Sequence, residues 1–167
     1  MTGLWLAAAP LVLASGSATR RDMLVAAGLP VEIVKPAIDE RAVEKPLAAQ
    51  GLPADRIAVA LAEAKALAVS RLHRGRIVLA ADQTLICAGR SFHKPENPAA
   101  TAEQIAALSG RAHELHSAFV LARDGTALAS GCDTARLTMR RLDPQFIARY
   151  VEAAGPVIFS SVGGYQL

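Results

Sequence analysis

Aromatic residues and cysteines are both rare in this sequence of 167 residues. Aromatic residues make up 4% of the chain, which argues against a surface that stacks the bases of single-stranded nucleic acid. The two cysteines, Cys87 and Cys132, stand apart in apolar segments, and neither has another cysteine or a histidine at the spacing of a zinc site. We therefore expect two free, buried thiols, as is usual in a reducing cytosol.

Long apolar runs are absent as well, and no segment has the length needed to cross a bilayer. The stretch from Leu4 to Ala14 resembles a signal peptide at first sight. However, no Lys or Arg precedes Arg20, and Pro10 interrupts the stretch. We interpret this segment as a buried first strand and expect a cytoplasmic protein that does not bind membranes.

The common nucleotide-binding and nucleophile motifs are missing too. The chain contains no G-x-x-x-x-G-K-[ST], no G-x-G-x-x-G and no G-x-S-x-G. The net charge of +3 and the pI of about 9.2 suit a small polyanionic ligand but are too weak to indicate binding of duplex DNA. Any phosphate group must therefore be bound by a different arrangement.

The segment 13–24 is the most informative one that is present. An apolar strand-like run ends in Ser15-Gly16-Ser17, and a predicted helix then begins with Arg20 and Arg21 in its first turn. Free N–H groups and the positive end of the helix dipole make such a junction a natural anion site. Two arginines at the positive end of a helix dipole are unfavourable unless an anion binds beside them. However, basic residues at a helix start are equally often part of a solvated surface.

The remaining pattern predicts one α/β domain with a mixed sheet, because strands and helices alternate and a hairpin adds antiparallel strands. Asp-Gly at 124–125 predicts the hairpin turn. Residues 36–40, 46–53 and 88–95 are interpreted as loops. Helices are expected over 18–27, 55–73, 98–108 and 144–153, and strands over 11–14, 31–34, 77–87, 112–122 and 127–139.

Two charged residues lie where the pattern predicts burial. Asp82 interrupts a strand-like run, and a buried carboxylate requires a cation or a metal beside it unless it caps a strand end. Lys65 falls on the apolar arc of the long helix, which contains Leu61, Val69 and Leu72. A lysine can reach water from such a position, but pairing with Asp82 would satisfy both residues.

Weaker signals come from Lys94 and Glu40. Lys94 precedes a proline, which restricts the backbone conformation beside the lysine. Glu40 lies in a predicted loop, where a carboxylate is ordinarily solvated. His113 and His116 flank a strand start, and we expect them in the core or at its rim without a functional role.

Seven segments, in order along the chain, resemble motifs of the Maf family of nucleoside triphosphate pyrophosphatases. No single motif is diagnostic, but their order and spacing extend over essentially the whole chain. They are LASGSATRR (13–21), IDE (38–40), ALAEAKA (60–66), AADQT (80–84), HKP (93–95), LSGRAH (108–113) and GGY (163–165).

The resemblance implies hydrolysis of a standard or modified nucleoside triphosphate to the monophosphate and pyrophosphate, a house-cleaning reaction that uses Mg²⁺ or Mn²⁺. It implies a strongly twisted mixed sheet flanked by helices, with two lobes around a nucleotide cleft, similar to inosine triphosphatases. It assigns catalysis to Asp82, Lys65 and Lys94, phosphate binding to Ser15 and Arg20, and metal binding to Glu40. Whether Asp82 is the base or chiefly a metal ligand stays open.

Two departures from the family pattern concern substrate choice. Thr19 stands where many members have an arginine, and Gln83 follows Asp82 where many have threonine. The Asp-Gln pair resembles the branch associated with 7-methyl-GTP, but that branch often has tryptophan at the Thr19 position. Thr19 and Gln83 are therefore the candidate specificity residues, and the preferred base stays open.

The chain also ends at Leu167, where family members continue with another strand and helix, so we expect a single Maf-like domain without those elements. The family's association with inhibition of septum formation leaves a second hypothesis, a regulator that acts through protein contacts. A nucleic-acid partner is not expected, and formation of a homodimer is left open.

Overall fold

The computed structural model describes residues 5–165, which form an α/β fold with six strands and five α-helices. Two short 3-10 helices, Gly155–Ser160 and Val162–Gly164, follow the last α-helix. The strands are β1 (Leu11–Leu13), β2 (Val31–Ile33), β3 (Val78–Cys87), β4 (Arg90–Phe92), β5 (Ala112–Arg123) and β6 (Thr126–Thr138). The α-helices are α1 (Ala18–Ala26), α2 (Glu40–Ala49), α3 (Ala54–Ser70), α4 (Pro98–Leu108) and α5 (Pro144–Ala154).

The strands pair in the order β2-β1-β3-β5-β6, with β4 on β3, and the expected mixed sheet is confirmed. β1 is parallel to both of its neighbours: Leu11 pairs with Val31, and Val12 pairs with Val78. β3 and β4 are antiparallel and are joined by Ala88-Gly89. The predicted turn between β5 and β6 is also confirmed, since Asp124 and Gly125 adopt φ angles of +52° and +77°.

The chain divides into two compact units. The first contains the described residues up to Asp82 together with Ser117–Cys132, and the second contains Gln83–His116 and the described residues from Asp133 onwards. Among the described residues, no helix is both long and apolar enough to span a bilayer.

The core of the first unit is built largely from alanine and valine. α3 contributes Ala58, Ala62, Ala66 and Val69, which recur every three or four residues and so share one face of the helix. These side chains belong to one cluster with Ala14, which follows β1, and with residues of β1, β3 and β5: Val12, Val78, Ala80, Ala118, Val120 and Ala122. Small side chains on both elements allow the helix backbone to lie close to the strands.

The second unit has a core of larger side chains, namely Leu85, Cys87, Phe92 and Leu108. Two histidines of this unit, His113 and His116, are buried, as expected. His113 Nε2 lies 2.6 Å from the Tyr165 hydroxyl, and His116 Nδ1 lies 2.9 Å from Thr134 Oγ1. Burial raises the pKa of Tyr165 above its usual value.

The loops predicted at 36–40 and 46–53 are confirmed over 36–39 and 50–53, but the predictions were wrong between them, because α2 covers Glu40 to Ala49. Asp39 caps this helix, and its carboxylate accepts hydrogen bonds from the N–H groups of Arg41 and Ala42 at 3.0 and 3.1 Å. Pro46 lies inside the helix. A proline at this position removes one backbone hydrogen bond but does not prevent the helix from forming.

Three further expectations were wrong. The loop at 88–95 contains β4, because Ala88 and Gly89 form a tight turn with positive φ angles of +49° and +76°. α3 ends at Ser70, so Leu72 is 81% exposed while Ser70 is fully buried and accepts a hydrogen bond from Gly125. Cys132 is exposed, because it lies on β6 at the end of the strand order.

Replacement of Pro46 by alanine is expected to stabilise the protein by about 1–2 kcal/mol, because the helix regains a backbone donor and loses a steric clash. Pro98 serves as the control, since it occupies the first turn of α4, where a missing N–H has no effect. The Pro98→Ala variant should not gain stability. Urea unfolding of both variants measures the difference, and equal effects would contradict the helical assignment of residues 40–49.

Candidate active site

The loop between β1 and α1 is ordered by two serine side chains. The Ser15 hydroxyl, which is buried at the end of β1, accepts hydrogen bonds from the N–H of Ser17 at 3.2 Å and from Nη1 of Arg20 at 3.3 Å. Ser17 is the N-cap of α1, and its hydroxyl accepts from the Arg20 N–H at 3.4 Å. The loop therefore holds the Arg20 guanidinium beside the start of a helix.

Arg20 and Arg21 lie in different environments although they are adjacent in sequence. Burial lowers the pKa of Arg20, while the nearby carboxylates of Asp82 and Glu40 raise it. Arg21 is exposed, pairs with Asp22 at 2.7 Å, and this hydrogen bond raises its pKa. Arg20 is thus the arginine that faces the carboxylates of the first unit.

Asp82 and Lys65 form the ion pair that the sequence suggested. Lys65 on α3 is 6% exposed and Asp82 on β3 is 8% exposed, and Nζ of Lys65 donates a hydrogen bond to Oδ1 of Asp82. A carboxylate inside a strand is tolerated here because the ammonium group compensates its charge. The second carboxylate oxygen, Oδ2, has no hydrogen-bond partner among residues 5–165.

Glu40 is the third member of this cluster and reaches it from the first turn of α2. Its Oε1 lies 2.9 Å from Nζ of Lys65, and its side chain remains 55% exposed. The burial pattern of the sequence did not mark this residue, because it lies outside any apolar run. Asp39 was the missed signal, since an Asp followed by a short helical segment is a typical N-cap.

Ser15, Arg20, Glu40, Lys65 and Asp82 all belong to the first unit, and their two cationic and two anionic side chains balance in charge. Such a group can bind phosphate oxygens through Arg20 and Lys65. It can also orient a water molecule through the unpaired oxygen of Asp82.

The carboxylates of Glu40 and Asp82 also fit a divalent cation. Mg²⁺ usually takes one or two protein carboxylates and completes its shell with water and substrate phosphates. Glu40 and Asp82 converge on a single ammonium group and so provide two such oxygen donors. Among the described residues there is no cluster of three or more acidic, His or Cys side chains that could hold a metal ion.

The other predicted site residues lie elsewhere on the elements already described. Thr19 is exposed in the first turn of α1, and Gln83 follows Asp82 on β3, where it is half-buried. Lys94 is exposed in the segment after β4 and forms no ion pair with any residue between 5 and 165. Gln83 and Lys94 belong to the second unit, and the roles expected for these three residues stay predictions.

Comparison with known families gives a match to the family model described as Maf-like protein, over residues 10–167. A nucleoside triphosphate pyrophosphatase of Rhodopseudomonas palustris (strain BisB18) is 49% identical over 98% of this chain and 80% of its own length. A 7-methyl-GTP pyrophosphatase of Mesorhizobium japonicum is 46% identical over 94% of this chain and 79% of its own length.

A solved structure of a HAM1 protein from Coxiella burnetii is similar in fold. It aligns with a TM-score of 0.50 and 19% identity, over 75% of this chain and 69% of that one. At this level of identity the likeness concerns the fold alone.

Replacement of Lys65 by methionine should destabilise the protein by about 3–5 kcal/mol, because Asp82 would then be a buried carboxylate without a cation. The double variant Lys65→Met/Asp82→Asn should recover most of this loss, since it contains neither charge. Urea unfolding of the two variants measures the coupling. If the single and double variants are destabilised equally, Lys65 does not stabilise the protein by compensating the buried charge of Asp82.

Proposed function

Because the chain belongs to the Maf-like family, we propose that it hydrolyses nucleoside triphosphates to the monophosphate and pyrophosphate. The names of its relatives support this reaction and do not favour a regulator that acts only through protein contacts. The observation that carries the proposal is the buried Lys65–Asp82 pair, with Glu40 on the same ammonium group and Arg20 in the field of both carboxylates.

In this reaction a water oxygen attacks the α-phosphorus, and the bond from that phosphorus to the bridging oxygen of the β-phosphate breaks. Asp82 is suited to orient the water and accept its proton, because Lys65 occupies Oδ1 and leaves Oδ2 available. The ammonium group keeps the carboxylate in place. Pyrophosphate then leaves with the electron pair of the broken bond.

Arg20 and Ser15 are proposed to bind the phosphate groups. The guanidinium of Arg20 presents a planar set of donors, and the start of α1 adds backbone N–H groups and the positive end of a helix dipole. Developing charge on the pyrophosphate group is stabilised by such fixed donors. Lys94 is proposed as a further cation for the phosphates.

A divalent cation, Mg²⁺ or Mn²⁺, is proposed as the cofactor, with Glu40 as its protein ligand. The charges of Arg20, Lys65, Glu40 and Asp82 cancel, so a triphosphate would bring several uncompensated negative charges. When bound, the metal would neutralise phosphate oxygens and fix their orientation. The exposure of Glu40 leaves it accessible to such an ion.

Thr19 and Gln83 are proposed to influence the choice of base. The relatives include proteins named for nucleoside triphosphates in general and for 7-methyl-GTP, so both standard and methylated nucleotides belong in a substrate panel. We also place the protein in the cytoplasm, which is supported by its two free thiols.

The Asp82→Asn variant should release pyrophosphate about 10²–10⁴-fold more slowly, because an amide cannot accept the proton of the attacking water. Asp22→Asn is the matched control, since Asp22 is an exposed carboxylate that pairs only with Arg21 among the described residues. Thermal unfolding of each variant separates loss of chemistry from loss of fold. Orthophosphate as the product would assign a different reaction, and an unchanged rate would remove Asp82 from catalysis.

Arg20 and Arg21 provide a second matched pair. Arg20→Gln should lower kcat/KM by about 10–100-fold, because a charged hydrogen bond to phosphate is lost. Arg21→Gln should change kcat/KM by less than about twofold, since an exposed ion pair contributes little. Steady-state kinetics with one triphosphate measures both values, and equal effects of the two variants would refute the assignment of phosphate binding to Arg20.

A further inference from the structure

A cavity of about 400 Å³ opens within the second unit, between the last turn of α4 and the first turn of α5. Its lining includes Ser109, Gly110 and Arg111 after α4, and Arg141 and Leu142 before α5. None of these residues belongs to the group around Lys65. Arg111 is the arginine of the LSGRAH segment. No residue of this segment has a role in the proposed reaction.

The backbone around this cavity is held by a set of short connections. The Ser109 hydroxyl accepts a hydrogen bond from the N–H of Leu142 at 2.8 Å, and the N–H of Met139 donates to the carbonyl of Arg111 at 3.1 Å. The N–H of Gly110 donates to the carbonyl of Arg140 at 3.3 Å. The segments that carry the two arginines are therefore tied to each other.

Gly110 positions the side chain of Arg141. It adopts a φ angle of +70°, and a Cβ atom at this position would lie 2.9 Å from Cγ of Arg141. The stem of Arg141 thus lies directly over the glycine, and a larger residue would displace it. Glycine is required here both for the backbone conformation and for the close approach.

The two guanidinium groups have no counter-charge within the described part of the chain. Neither Arg111 nor Arg141 forms an ion pair or a side-chain hydrogen bond with the residues that the structure describes. The carboxylate of Asp143 is engaged in capping α5, where it accepts the N–H of Phe146 at 2.8 Å. Both arginines are exposed and line the same cavity, so an anion bound there could be compensated by two positive charges.

The rest of the wall is apolar. It is formed by Ala106 of α4, Leu142, and Pro144 and Ile147 of α5. Ile147 is 6% exposed and so belongs to the packed interior behind the cavity. A volume of this size accommodates a small organic molecule, and its chemistry is defined by an apolar wall and two arginine side chains.

We propose that this cavity binds a small organic anion, with its phosphate or carboxylate group on Arg111 and Arg141 and its apolar body on Leu142, Pro144 and Ile147. Both anionic groups offer the paired oxygens that a guanidinium group binds in a bidentate manner. The site is distinct from the one proposed for the triphosphate, because the two share no residue.

The test is a titration of the ¹⁵N-labelled protein, followed by amide chemical shifts, with phenyl phosphate, benzoate, inorganic phosphate and phenol as separate probes. Saturable shifts confined to residues 106–111 and 139–147 are expected with phenyl phosphate or benzoate. The stronger of these two identifies the anionic group. Inorganic phosphate should bind more weakly, because it lacks the apolar body, and phenol should cause no saturable shift.

Variants then test the arginines. The double variant Arg111→Gln/Arg141→Gln should weaken binding of the better probe by about 10–100-fold. Arg149→Gln is the matched control, because Arg149 is an exposed arginine of α5 outside the cavity lining, and it should leave binding unchanged. The Asp82→Asn variant should also leave these shifts unchanged.

Three results would overturn the proposal. One is phenol binding as tightly as phenyl phosphate, and another is shifts that map only to the loop around Arg20. The third is equal weakening by Arg149→Gln and by the double variant, which would indicate nonspecific attraction to a basic surface. The comparison of phenol with phenyl phosphate uses the unmodified protein, so the test does not depend on the folding of any variant.

Discussion

The buried ion pair between Lys65 and Asp82 is the interaction on which the first unit and its candidate site depend. A carboxylate in the middle of β3 loses most of its hydration, and this loss is tolerable only if a cation lies in direct contact. Lys65 supplies that cation from α3 and also holds Glu40 at 2.9 Å. The pair thus joins a strand and a helix, orients the proposed catalytic carboxylate and brings a second carboxylate beside it.

The packing around this pair explains how a lysine reaches a strand. α3 faces β1, β3 and β5 with alanines and one valine, and Ala62 and Ala66 lie beside Lys65 on the same face. Small side chains allow α3 to lie close to the strands. The lysine side chain is long enough to cross the remaining distance to β3. The high alanine content of the chain is therefore connected to the chemistry of the site as well as to helix formation.

Several elements were predictable from local patterns. The helices expected from residues 18, 98 and 144 begin there, each with a side-chain N-cap, and the expected Asp-Gly turn is also present. The elements that were missed lack such signals. α2 contains a proline that suggested a loop, and the turn before β4 uses Ala88 in a conformation that alanine rarely adopts. Both pack against a neighbouring element, α2 on α3 and β4 on β3, and this packing outweighs local preference.

Local sequence patterns were sufficient to predict the α/β class, the order of most elements, and the two charged residues that could not remain unpaired in an apolar environment. Tertiary structure decided which partners they have. Lys65 and Asp82 are 17 positions apart in the sequence. Glu40 reaches them from a helix that the sequence pattern did not predict. Arg20 and Arg21 are adjacent in sequence, but Arg20 is partly buried near the carboxylates and Arg21 is exposed. Local propensity and periodicity are properties of neighbouring residues, whereas the pairing of buried charges depends on distances that exist only after the chain has packed.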